Sequence, residues 1–183
     1  MNRLLLVGVV LRFTNQYLKR AILVFLRRFL PILCLLYLAA GSALATEVSI
    51  PLASDFEADA RVGVSSDTVF LLYFSAPDCR YCMKLEEAVL KPMLRSGDYD
   101  KQVLLRKIDW RSSAMVNDFL GQRISLHMLA ERYGVKVTPT LVFVDANGRE
   151  LVPRILGFQS ADFFWHYLDQ RIDQSHLKML EKR

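Results

Sequence analysis

Two cysteines separated by two residues, Cys79-Arg80-Tyr81-Cys82, lie in the stretch FSAPDCRYCMKLEE that runs from Phe74 to Glu87. Thiols at this spacing can exchange electrons with a disulfide, supply half of a tetrahedral metal site, or form a local cross-link. Attachment of a c-type haem requires His directly after the second cysteine, and Met83 stands there. Zinc would need two further ligands, and only His127, His166 and His176 are on offer, at scattered spacings. A cross-link closing so short a loop removes little chain entropy. If a helix starts at the pair, its unpaired N–H groups and dipole favour a thiolate on the first cysteine. Cys79 is then the expected nucleophile and Cys82, one turn along and partly buried, the expected resolving thiol. Arg80 and Tyr81 are expected to tune the pair. A cation at Arg80 stabilises the Cys79 thiolate and makes the pair more oxidising.

The elements around the pair follow from hydrophobic periodicity. Ser54-Asp55-Phe56-Glu57 has the capping-box spacing that starts a short helix. TVFLLYF, Thr68 to Phe74, is a continuous apolar and β-branched run, the pattern of a strand buried on both faces. Pro77 to Leu90 reads as a helix that Pro92 breaks or kinks and Ser96-Gly97-Asp98 closes. Gln102 to Asp109 is a second strand, and the polar stretch from Trp110 to Ile124 is expected to carry a helical turn of its own. Ser125 to Tyr133 is an amphipathic helix stopped by Gly134, and Thr140 to Asp145 is another buried strand. Asn147-Gly148 marks a hairpin turn into Glu150 to Phe158, and Ser160 to Ile172 forms the last helix. The order α-β-α-β-α-β-β-α predicts a three-layer α/β/α sandwich with a central mixed sheet of about four strands flanked by helices.

The net charge of +5 invites a nucleic-acid or membrane reading until the charges are placed. Residues 1–45 hold Arg3, Arg12, Lys19, Arg20, Arg27 and Arg28 and no acid. Without these six, 18 basic side chains face 19 acidic ones, so the basic pI carries no sign of a polyanion partner. Arg27-Arg28, the apolar run FLPILCLLYLAA and the small-x-small triplet Ala43-Leu44-Ala45 read as an export signal cleaved before Thr46. The apolar core of about 12 to 16 residues is shorter than the roughly 20 that span a bilayer. An uncleaved anchor is the alternative. Residues 46–183 then form the folded domain, and loss of the leader removes Cys34, leaving Cys79 and Cys82 as the only thiols.

The second half of the chain decides among the readings of the pair. AERYGVKVTPTLVFVDANGRE, Ala130 to Glu150, together with FSAPDCRYC, strongly resembles the thioredoxin superfamily from about Ser54 to Ile172. The resemblance implies that Val137-Thr138-Pro139 forms a cis-proline loop beside the cysteines, with Thr138 and Pro139 binding the substrate strand through free backbone groups. Gly157 would match a glycine at the active-site edge of many members, or else serve a plain turn. The chain departs from cytosolic thioredoxin at Asp78, where the family has tryptophan, and at Arg80-Tyr81, where it has Gly-Pro. Tyr73 falls at the position of the family's buried acid, leaving the proton partner of Cys82 open. Glu86 and Glu87 are nearby, although a solvated helix face is the favoured reading of both.

These features point to an exported thiol:disulfide oxidoreductase, located in the periplasm or secreted. It would reduce or exchange disulfides of protein substrates without a cofactor and as a monomer. A membrane-bound donor could keep it reduced, and no nucleic acid is expected. The competing reading is a metal-delivery or partner-binding module that uses the two thiolates for Cu(I). No zinc or other metal site is expected, and Asp109 and His127 are given no catalytic role. The Phe163-Phe164-Trp165 run is read chiefly as the apolar stripe of the last helix.

Overall fold

The computed structural model describes residues 25, 27, 28, 47–61 and 68–181. The chain divides into two compact units, Met1–Glu47 and Val48–Arg183. In the first, Phe25, Arg27 and Arg28 are helical, and the rest of the expected leader lies outside the described residues. No helix among the described residues is long and apolar enough to cross a membrane.

In the second unit, β1 (Val69–Ser75) is buried at every position. Because successive strand side chains point to opposite faces, it feeds two cores at once. Val69, Leu71 and Tyr73 join a cluster containing Cys82, Leu85, Val89, Phe164 and Leu168. Phe70, Leu72 and Phe74 join a second with Phe56, Ile124, Leu129 and Val142. Each large apolar side chain so buried contributes about 1.5–3 kcal/mol, which makes this strand the mechanical centre of the domain. β2 (Val103–Asp109) runs parallel to β1, β5 (Thr140–Val144) antiparallel on its other side, and β6 (Ile155–Leu156) closes the order β2-β1-β5-β6. Helices cover both faces, so the sandwich with a mixed four-stranded sheet is as expected from the sequence.

Several boundaries differ from expectation. The first helix, α1 (Phe56–Arg61), is capped one residue later than the Ser54 box implies. Asp55, not Ser54, accepts the Ala58 N–H at 2.8 Å. Pro92 does not break the second helix. After α2 (Arg80–Leu85) the chain widens into a π turn over Glu86–Leu90, then resumes as α3 (Lys91–Ser96). Lys91 N–H reaches back five residues to Glu86 O, the spacing of a π turn, and Pro92 follows within the first two positions of α3. Gly97, at φ +73°, ends the run.

The segment from Trp110 to Ile124 carries no helical turn. It forms a two-stranded ribbon, β3 (Met115–Asn117) with β4 (Arg123–Ser125). Its turn is organised by buried Asp118, whose Oδ1 accepts from Leu120 N–H at 2.9 Å and Gln122 N–H at 2.8 Å. Asp118 also pairs with Arg132 on α4 (Leu126–Arg132). Glu150 to Phe158 is not one strand either. The chain bridges to Val144 at Glu150, and only Ile155–Leu156 pairs again with β5, because Pro153 between them cannot donate to a ladder. The last helix, α5 (Ala161–Leu180), continues past Ile172 and buries Ser175 and Met179 as well.

Candidate functional site

The C-terminal end of β1 delivers the chain directly into the cysteine pair. Cys79 is the N-cap of α2, and its Sγ accepts the Cys82 N–H at 3.1 Å. The two cysteines are joined in a disulfide with Cα atoms 5.1 Å apart. Cys79 is half-buried, whereas Cys82 is 1% exposed and belongs to the core cluster of Tyr73 and Leu85. The asymmetry has a helical cause. Position 79 is the cap and faces outward, while position 82 lies a turn along on the side that packs against the sheet. Arg80 and Tyr81 are exposed beside the pair, with the Lys84 ammonium 5.9 Å from the Tyr81 ring centre.

The Thr138–Pro139 peptide is cis. Phe74 pairs with Thr140 in the antiparallel register, so the next step along both strands sets Pro139 opposite Ser75. The proline loop and the start of α2 therefore share one end of the sheet. Pro139 is buried, Thr138 is half-buried, and Thr140 Oγ1 donates to Val137 O at 2.8 Å, closing the loop. Gly157, at φ +73°, donates its N–H to Pro139 O at 2.8 Å. That bond gives the glycine a definite structural task at this edge, holding the proline loop from the β6 side.

Beside Cys82 a cavity of about 430 Å³ opens toward solvent. Cys82, Pro77 and Met83 line it together with Glu86, Lys107 and Asp109. Here Glu86 and Glu87 part company. Glu87 is exposed and pairs with Lys91, the solvated behaviour expected of both residues. Glu86 instead keeps only 15% of its side chain exposed. Its Oε1 accepts from Tyr73 Oη at 2.9 Å and lies 2.7 Å from Lys107 Nζ. Lys107 also sits 6.0 Å from the Tyr73 ring centre. Burial pushes the Tyr73 phenol far above its ordinary pKa; the Ser75 contact opposes this in part, and the charge and hydrogen bond of Glu86 reinforce it. Tyr73 is thus a neutral donor at any ordinary pH.

Lys107 was not legible as a site residue. The one signal for it is a lysine in the run QVLLRKID on a strand that must lie beside β1. Asp109 starts the turn after β2, accepting the Arg111 N–H at 3.0 Å, and also reaches the cavity wall. His127 is exposed, with Nδ1 3.0 Å from Trp110 O. Phe164 is buried and Trp165 stacks near Tyr99, leaving Phe163 as the exposed member of its run. No group of three or more His, Cys, Asp or Glu among the described residues could hold a metal ion.

A four-stranded mixed sheet between helices, with a vicinal cysteine pair at the first helix of its central strand, defines a thioredoxin-like redox domain. Residues 56–172 match the family model described as a thioredoxin-like domain, and the chain belongs to that family. Similar solved structures include the germline-specific thioredoxin Deadhead of Drosophila melanogaster, at 21% identity and TM-score 0.48, covering 66% of this chain and 98% of that one. A thioredoxin-fold protein of Helicobacter pylori shows 21% identity and TM-score 0.49, covering 68% and 91%. The periplasmic thioredoxin SoxS of Paracoccus pantotrophus shows 24% identity and TM-score 0.43, covering 58% and 98%. No curated protein matches the chain.

Proposed function

We infer that the chain is an exported thiol:disulfide oxidoreductase acting on disulfides of extracytoplasmic protein partners. The observation that carries this reading is the Cys79–Cys82 disulfide at the start of α2, one sulfur half-buried at the cap and the other enclosed. In the reducing direction the Cys79 thiolate attacks a substrate disulfide and forms a mixed disulfide. Cys82 then attacks Cys79 Sγ, closing the internal bond and releasing the substrate as a thiol. The cis-proline loop at the same sheet end supports a substrate-binding role for Thr138 and Pro139, whose neighbouring backbone can pair with an extended peptide. Export rests on the basic stretch, apolar run and Ala43-Leu44-Ala45 triplet of the first 45 residues.

The roles are tested by trapping. A Cys82→Ser variant should accumulate mixed disulfides with protein partners, and Cys79→Ser should not. Equal trapping by both variants would overturn the assignment.

A further inference from the structure

We propose that Glu86, held by Tyr73 and Lys107, is the group that takes the proton from Cys82 when it resolves a mixed disulfide and returns it when the pair is reduced. This deepens the oxidoreductase reading and rests on it. Cys82 is 1% exposed, yet it must attack as a thiolate. Glu86 lies four residues on, its N–H donating to Cys82 O, which stacks the two side chains on one helix face with Cβ atoms about 5–6 Å apart. Both residues line the same solvent-connected cavity.

The surroundings of Glu86 make it a held carboxylate and not a solvated one. Tyr73 from β1 donates to Oε1, and Lys107 from β2 lies 2.7 Å from the same oxygen. Asp109, also from β2, is the remaining titratable group on the cavity wall, while Glu87 on the same helix is turned outward to Lys91. Two donors on Oε1 leave Oε2 as the oxygen for the thiol proton. Tyr73 and Lys107 are thus positioning residues.

Cys82–SH gives its proton to the Glu86 carboxylate, and the thiolate attacks Cys79 Sγ in the mixed disulfide. The Cys79–Cys82 bond forms, the bond from Cys79 to the substrate sulfur breaks, and that sulfur leaves with the electron pair. Glu86 then passes its proton to cavity water. When a thiol reduces the pair, the steps reverse.

The test uses the full chain carrying Cys34→Ser, reduced and mixed with one equivalent of 5,5′-dithiobis(2-nitrobenzoate). Attack by Cys79 releases the first yellow thiolate, and resolution by Cys82 releases the second. Glu86→Gln should slow the second phase about tenfold or more at pH 7 without slowing the first, and the deficit should close above about pH 9 as hydroxide takes over. Glu86→Asp should recover part of the rate. A wild-type second phase in Glu86→Gln at every pH would overturn the proposal and leave the redox reading intact. Absence of a second phase in the parent protein would overturn the redox reading itself. Should Glu86→Gln fail to fold, Tyr73→Phe and Lys107→Met serve in its place. Each should move the acid limb of the second-phase profile to higher pH, and two unmoved profiles would contradict the proposal.

Discussion

The Tyr73 hydroxyl donates a 2.9 Å hydrogen bond to Glu86 Oε1, tying the middle of the central strand to the helix that carries the cysteines. Lys107 meets the same oxygen from the neighbouring strand, so the π turn beginning at Glu86 is pinned to the sheet at its first residue. Three elements converge on one carboxylate oxygen beside the redox pair.

That convergence predicts a stability signature. Lys107→Met leaves the Glu86 carboxylate, only 15% exposed, without its cation and should cost about 1–3 kcal/mol in urea unfolding. Adding Glu86→Gln removes the orphaned charge, so the double variant should be more stable than the sum of the single effects implies. Strict additivity would show that the pair is not coupled.

Acid sensitivity should arise in the ribbon. Burial pushes the Asp118 carboxyl up, but the hydrogen bond from Arg132 and the N–H groups of Gln122 and Leu120 outweigh it and hold the group below its ordinary 3.8. A depressed carboxyl stabilises the fold above the unfolded value, and that contribution is lost as pH falls through the lower folded value. Asp118→Asn should therefore cost about 3 kcal/mol near neutrality, with the difference from wild type shrinking below about pH 4. Unfolding curves across pH 2–7 check both the sign and the window.

Gly157 offers a test of the proline loop. A Cβ at this position meets no atom within 4 Å, so crowding is absent and only the φ of +73° penalises a side chain. Gly157→Ala should cost about 1–2 kcal/mol and Gly157→Asn less, since asparagine tolerates the left-handed region better. Equal thermal stability of all three proteins would show that the backbone there adapts freely.

How much of this was legible in the sequence depends on whether local pattern or tertiary placement decides. The strand Val69–Ser75 announced itself because every side chain is apolar or small, and the helix Leu126–Arg132 because Ser125 caps it and Gly134 closes it. The placement of the cysteines, one half-buried at the helix cap and the other enclosed a turn along, follows from helix geometry. Pro92 implies a break or a kink; no break occurs, and the chain passes through a π turn ahead of the proline and resumes as α3. The ribbon was missed because its organiser, Asp118, makes its contacts with the turn and with Arg132, fourteen residues away. The helix end at Ile172 was placed too early because Asp173-Gln174-Ser175 look polar, yet Ser175 turns inward and its hydroxyl donates to Arg171 O at 2.7 Å. Glu86 resembles Glu87 in sequence. Only the packing of Tyr73 and Lys107 separates a held carboxylate from a solvated one.

Arg80 is expected to tune the reduction potential of the pair. It is exposed and adjacent to Cys79, so its charge should favour the thiolate form. Arg80→Ser should lower the reduction potential of the pair by about 10–30 mV, and the effect should fade in 1 M salt, where the Debye length is about 3 Å. A rise in potential on removing the cation would reverse its assigned role.

The most direct measurement is redox equilibration of the Cys34→Ser chain in dithiothreitol and glutathione buffers, read alongside catalysed insulin reduction. One two-electron transition is expected, with a tenfold change in the reduced-to-oxidised ratio per about 30 mV and a midpoint between about −270 and −120 mV. Insulin precipitation should be accelerated and should vanish in Cys79→Ser. No accelerated reduction, or a pair that shows no two-electron transition in that range, would contradict a Cys79–Cys82 redox function.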